Sequence, residues 1–392
     1  MMSRFRQALG AVLATALLTV TSVNGLAQDA GGQDVALRGQ MASITLDRTM
    51  LPGGYTFVGE TFFSADQAAS GDVTADELTG AGFVSQYVSV YRNLDNGNEI
   101  RSYVSAWTDG VAAEAGFEIL EDEGRTQPDG TFEDGDAGVG EAPGETTTGS
   151  WSESGTTVNS VDVTFRVDRF LVGTALTTRD GSEADAATVG TLSGTLEARA
   201  TEAIGNESPD GTDLALVPQA LPLSTLAPSL QAGFLGGPDV EQMYGLQGSA
   251  LGGLTASWNE VVALAEDGTA APYVSVGLTS FGSAEGAQAV IDQIGDLAPE
   301  VAGSEQVEGY SVEGATASAA FRFPSQASGS DEADSFRIVA IVDATLIVID
   351  VQGAPSVEVA QSTAETLITA QLGCLGQESC EVPGLPEELT AA

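Results

Sequence analysis

Carboxylates are the reactive groups this chain has in quantity. It carries 56 Asp and Glu against 13 cations, every one of them Arg, with no His and no Lys, and its formal net charge is −43. Without His there is no Ser-His-Asp or Cys-His nucleophile pair, no His-ligated zinc and no imidazole base. Without Lys there is no Schiff-base chemistry and no P-loop. Carboxylates, hydroxyls, guanidinium groups and backbone amides remain, so a carboxylate-pair hydrolase is the enzyme class the composition leaves open. Asp168 and Asp343 stand at matching hairpin turns, where backbone geometry alone favours Asp, and turn chemistry is the better account of both.

The densest acidic run lies in Gln127–Thr148, with Asp129, Glu133, Asp134, Asp136, Glu141 and Glu145. Oxygen ligands gathered there are a candidate site for Ca²⁺, the only cofactor the sequence suggests. The run lacks the ordered D-x-D-x-D-G spacing, and its Gly/Asp/Glu/Thr composition predicts a mobile surface loop. Ser325–Asp334 reads as a shorter equivalent. Cys374 and Cys380 are the only cysteines, and in an oxidising compartment a local disulfide is the expected pairing. Arg166, Arg169, Arg322 and Arg337 fall in or beside predicted strands, where pairing with carboxylates across a sheet is expected ahead of anion binding. Trp107, Trp151, Trp258, Tyr87 and Tyr91 suit a core better than a sugar-binding groove. Leu51-Pro52-Gly53-Gly54 and Gly248–Gly253 are poor phosphate cradles, because neither leads from a clear strand into a helix.

The elements that must position these groups are written twice. Tyr103-Val104-Ser105-Ala106 recurs as Tyr273-Val274-Ser275-Val276, each ahead of an Ala-rich amphipathic run, Gly110–Glu123 and Gly282–Leu297. Phe165–Val172 is echoed by Ala340–Ile347. Periodicity predicts a hairpin about Asn96-Gly97 and another about Asp267-Gly268. Helices are capped by Thr108 or Asp109 and by Ser283. Strand pairs Val158–Val167 with Phe170–Thr177, and Phe336–Val342 with Thr345–Val351, follow. Helices Glu183–Ala203 and Ser356–Leu372 close the copies, the latter ending at Gly373. The fold class is α+β: two tandem repeats, each an antiparallel sheet packed with two helices.

Met1–Ala27 reads as a secretory signal peptide, with Arg4 and Arg6 ahead of an apolar stretch and small residues before the cut. The expected organisation is then a first α+β domain over 28–203 and a Pro/Gly-rich strap or linker over 204–250. A second domain over 251–380 and a flexible tail over 381–392 complete it. The strap's Leu-rich middle, Leu214–Leu230, predicts an extended segment packed along the second domain. No other stretch is apolar and long enough to span a bilayer, so no membrane span is expected after processing. A charge of −43 repels phosphate backbones, so nucleic acid is excluded as a partner.

The second copy resembles the extracytoplasmic sensor-type domains of actinobacterial exported lipoproteins and receptor-kinase ectodomains, and more distantly PsbP-like domains. The resemblance rests on Tyr273–Val276, on Phe281-Gly282-Ser283-Ala284 opening an Ala-rich helix, on the Arg337–Ala340 and Leu346–Ile349 hairpin, and on the helix after Pro355. It covers residues 250–373 and, more faintly, 51–203. It implies a binding or sensing module without shared catalytic residues. The expected function is that of a secreted or periplasmic, non-enzymatic protein that binds a small-molecule or protein ligand, with a cleft between the copies as the expected place. A carboxylate-dependent secreted glycoside hydrolase and a cell-envelope structural protein are the alternatives.

Overall fold

The structure, a computed structural model, describes residues 35–69, 73–123, 130–153, 155–227, 229–244, 246, 251–264, 272–298, 303–324, 334–377 and 380–390. The signal segment, Asp129, the Asp267-Gly268 turn and 325–333 lie outside them. Contacts divide the chain into two compact units, Leu37–Pro209 and Asp210–Ala392, and each is described by itself.

In the first unit, α1 (Val35–Ile44) leads through a 3-10 turn at Arg48–Met50 to β1 (Tyr55–Phe63). Two short helices, α2 (Ala65–Ala68) and α3 (Ala75–Gly80), precede the hairpin of β2 (Phe83–Asn93) and β3 (Glu99–Trp107). Then come α4 (Gly110–Glu123), β4 (Thr131–Asp136), β5 (Glu141–Glu153), β6 (Thr156–Val167), β7 (Phe170–Thr178) and α5 (Ala186–Ile204). Asp109 Oδ1 accepts from the amides of Val111 and Ala112 and so caps α4, because the first-turn amides have no intrahelical acceptor.

The second unit opens with 3-10 turns at Val217–Gln219 and Leu223–Thr225, then β8 (Ser229–Phe234) and α6 (Gly237–Tyr244). β9 (Leu254–Ala263), β10 (Tyr273–Phe281) and α7 (Ala284–Leu297) follow. The chain continues through β11 (Glu305–Gln306), β12 (Ala317–Phe323), β13 (Ser335–Val342), β14 (Thr345–Gln352), α8 (Val357–Cys374) and α9 (Glu387–Thr390). Ser283 and Ser356 cap α7 and α8 through their hydroxyls.

Each unit holds one seven-stranded antiparallel sheet. The orders are β1-β2-β3-β7-β6-β5-β4 and, read from the corresponding edge, β8-β9-β10-β14-β13-β12-β11. The wiring is therefore the same twice, as the α+β tandem-repeat reading predicts. Registers align the copies residue by residue. Ala106 faces Phe170 across β3 and β7, and Ser280 faces Thr345 across β10 and β14. The tight β6–β7 and β13–β14 turns hold Asp168 and Asp343 at φ of 52° and 55°, a left-handed conformation that Asp tolerates better than most residues.

One face of each sheet is the main core. In the first it carries Tyr87, Tyr91, Ile100, Val104, Phe165 and Val172 beneath α1 and α5. In the second it carries Trp258, Val276, Leu278, Ile338, Ile347 and Ile349 beneath α8. The opposite face receives α4 in one unit and α7 in the other. Trp107 packs there with Phe83, Phe117 and Leu171.

Five expectations are corrected. Gln127–Thr148 is not a loop where it is described: it supplies β4 and most of β5, two strands at the sheet edge. The Thr-rich β5 suits a strand with half-wet faces, the edge strand β4 needs only one neighbour, and the charged residues disguise both. The topological equivalent of this pair is β11 and β12, not Ser325–Asp334. The strap is not extended throughout, since it folds into two 3-10 turns, the edge strand β8 and α6. Finally, α8 runs through Gly373 to Cys374, and the tail forms α9 with Leu389 wholly buried, one apolar anchor that composition did not reveal.

Candidate functional site

The registers place a small polar constellation on the α4 face of the first sheet. Tyr103 on β3 lies opposite Gly173 on β7, which lies opposite Thr164 on β6. Asp162 is two residues before Thr164, so strand alternation puts it on the same face. The Tyr103 hydroxyl donates to Asp162 Oδ1 at 2.8 Å and lies 2.5 Å from Thr164 Oγ1, while Thr164 Oγ1 donates to Asp162 Oδ1 at 3.0 Å. The tyrosine ring rests on Gly173, where a β-carbon would overlap it.

Burial raises the Asp162 pKa to about 6, against the opposing hydrogen bonds of Tyr103 and Thr164 and the more distant charge of Arg101. Burial and the Asp162 charge together hold the Tyr103 phenol well above its ordinary value. Arg101 is drawn off by Glu99, whose Oε1 accepts from its Nε at 2.6 Å while Oε2 takes Arg92. Asp162 therefore has no guanidinium at ion-pair distance among the described residues. Around it, Val88, Val90, Thr147 and Ala175 are half-buried. Glu145 lies beside them on β5, opposite Thr164.

The same location in the second sheet is filled. Gly277 stands at the Tyr103 position, and the Tyr244 hydroxyl, delivered by α6, occupies the space a β-carbon would need. Burial pushes the Tyr244 phenol up to about 12, with Arg337 pulling the other way. Arg337 takes the place of Asp162, and Asp350 that of Ala175. They meet as a cross-strand pair with two bonds, Nε to Oδ1 at 2.8 Å and Nη2 to Oδ2 at 2.6 Å. Arg337 lies 5.8 Å from the ring centres of both Tyr244 and Phe323. Its side chain is 11% exposed and that of Asp350 is 8%.

The remaining candidates fall elsewhere. Glu133, Asp134 and Asp136 project from β4, alternating between its faces, and among the described residues no three Asp, Glu, His or Cys side chains gather as a metal site. Cys374 and Cys380 are disulfide-bonded. The bonded loop and the helix before it hold the strap: Gly376 N–H of the loop donates to Gln219 Oε1, and Gln371 of α8 bridges Gln219 O and Leu221 N. Arg166 pairs with Glu141, Arg169 lies over the Phe170 ring, and Arg322 donates to Gln361. Tyr87, Tyr91, Trp107 and Trp258 are core, at most 2% exposed. A cavity of about 470 Å³ in the second unit is lined by Gln306–Tyr310, Ser318 and Ala319.

Sequence reasoning missed Tyr103, Thr164 and Asp162 as a group, because their proximity comes from the order β3-β7-β6. Tyr103 alone was visible, but matched to the wrong partner. Tyr273 is its sequence echo, whereas the sheet registers match it to Gly277, four residues further on. A shift of four keeps every side chain on its face, so hydrophobic alternation cannot detect it.

No family model and no curated protein matches the chain. Among solved structures, the extracellular domain of PknH from Mycobacterium tuberculosis is similar at 11% identity and a TM-score of 0.33, over 42% of this chain and 96% of that one. A likeness of that size bears on neither ligand nor chemistry.

Proposed function

We propose that this is an exported, extracytoplasmic, non-enzymatic protein that binds a ligand or partner. The observation that carries the reading is the contrast at one position of a repeated sheet. The second copy closes it with Tyr244, Arg337 and Asp350, while the first leaves Tyr103, Asp162 and Thr164 half-buried and able to exchange hydrogen bonds. Half-buried polar groups beside apolar Val88 and Val90 suit recognition, in which a few polar contacts fix orientation against an apolar floor. The disulfide supports an oxidising compartment.

A carboxylate-dependent hydrolase has one observation in its favour, the pairing of a raised carboxyl with Glu145 on the same face. Against it, the shift at Asp162 comes from burial and not from a second carboxylate.

The test is thermal stability of the full chain against panels of cationic, anionic and neutral polyol compounds, together with hydrolysis of chromogenic glycosides. A binding protein shows at least one class raising Tm, with the effect lost in Thr147→Trp, and no turnover. Turnover lost in Asp162→Asn establishes the hydrolase instead. Neither response leaves a structural role.

A further inference from the structure

We propose that the open face of the first sheet binds a guanidinium group, seated on Asp162 between Tyr103 and Ala175. This rests on the binding reading above and names its ligand chemistry.

The sheet is built twice, and in the second copy this location holds a guanidinium. Arg337 is gripped there by a carboxylate on the neighbouring strand, with a tyrosine ring alongside. The first copy keeps a carboxylate and a tyrosine but, among the described residues, brings no cation to ion-pair distance of Asp162. Asp162 faces Ala175 where Arg337 faces Asp350, and Thr147 stands where Phe321 does. A methyl group and a threonine replace larger side chains, so the volume is left half-open. Among the described residues the nearby cation is Arg101, which is held by Glu99.

Asp162 is thus a carboxylate in a partly desolvated setting with hydroxyl donors on one oxygen and, among the described residues, no guanidinium at ion-pair distance, and its burial penalises its charged form. An incoming guanidinium reverses that penalty through charge-assisted hydrogen bonds that match the planar carboxylate. The chain's charge of −43 attracts cations toward the whole surface, so the specificity must be tested apart from the general field. Among the described residues, the charged and titratable groups facing Asp162 are Tyr103 and Arg101 on β3 and Glu145 on β5.

The experiment titrates the full chain with butylguanidinium, and separately with the peptide acetyl-Ala-Ala-Arg-Ala-Ala-amide, at constant ionic strength. The readouts are calorimetry and the carbon resonance of the Asp162 carboxyl. The expected result is saturable binding that lowers the Asp162 pKa from about 6 toward the ordinary carboxylate range. Binding is expected to weaken at least tenfold in Asp162→Asn and in Ala175→Arg, the second of which supplies the missing guanidinium from within. Tighter binding of the peptide than of butylguanidinium identifies an arginine side chain of a partner, and equal binding a small molecule. Binding that is absent, or unchanged in both variants, overturns the proposal. If guanidinium fails while another class in the stability panel succeeds through this face, the ligand assignment falls and the binding reading stands; if no class succeeds, both fall.

Discussion

The two sheets share strand order, connection and register, yet treat one location in opposite ways. In the second, Arg337 and Asp350 satisfy each other under Tyr244. In the first, Asp162 is held by two hydroxyls and faces a methyl group. The difference separates what a sheet needs to fold from what it carries beyond that need. A buried ion pair with both partners present is a self-sufficient structural unit, whereas a half-buried carboxyl with no ion-pair partner among the described residues is tolerated at some expense of stability, as sites for ligands often are.

The largest effect expected from this contrast is in the second unit. Arg337→Ala or Asp350→Ala leaves a nearly buried charge alone and should destabilise by roughly 3–5 kcal/mol, while Arg337→Met with Asp350→Leu should be close to neutral. Chemical denaturation of the three variants checks this, and a double variant as damaging as the singles would show that the pair is more than self-compensating. Glycine substitutions probe the same contrast less strongly. Gly277→Ala pushes on a tyrosine fixed by α6 and should lose about 1–3 kcal/mol. Gly173→Ala should lose less, because Tyr103 borders solvent and can swing away.

How much of this could be read in advance differs between elements. The helix over Gly110–Glu123 and the hairpins about Asn96-Gly97 and Asp168 were legible, since caps, turn residues and periodicity agreed there. β1, with its bulge between Phe57 and Gly59, and the polar strands β4 and β5 were not, because the edge strands β1 and β4 need only one neighbour, and β5, though paired on both sides, buries a single residue. The site was least legible. Asp162 looks like any other acidic residue until β6 is placed beside β7 and β3.

Two smaller effects sharpen the comparison. Reducing Cys374–Cys380 should destabilise the second unit by about 2 kcal/mol, the entropy of so short a loop, and loosen the strap at Gln219. Hydrogen exchange at Leu221 reads this out, and no change there would detach the disulfide from the strap. Asp162→Asn acts in the other direction. The carboxyl has a higher pKa folded, about 6, than unfolded, about 3.9. Its contribution to stability is thus complete below about pH 4 and lost as pH rises through about 6. The variant should gain about 1–2 kcal/mol at pH 7.5, discounted for partial exposure, and nothing at pH 4. A variant less stable than the parent at pH 7.5 would reverse the sign assigned to this group. Smallest, and spread over both units, self-repulsion of the acidic surface predicts a Tm that rises between ~10 and ~150 mM salt, where the Debye length shrinks from ~30 to ~8 Å.

Equivalent residues of the two sheets measure how open each face is. Thr164 and Val339 occupy matching places opposite Gly173 and Val348, one half-buried and the other 0% exposed. Alkylation of Thr164→Cys and Val339→Cys, each normalised to its rate in the unfolded chain, compares the two faces directly. Reaction at position 164 is expected to be at least tenfold faster; equal rates, or faster reaction at 339, would mean that the first face is as closed as the second.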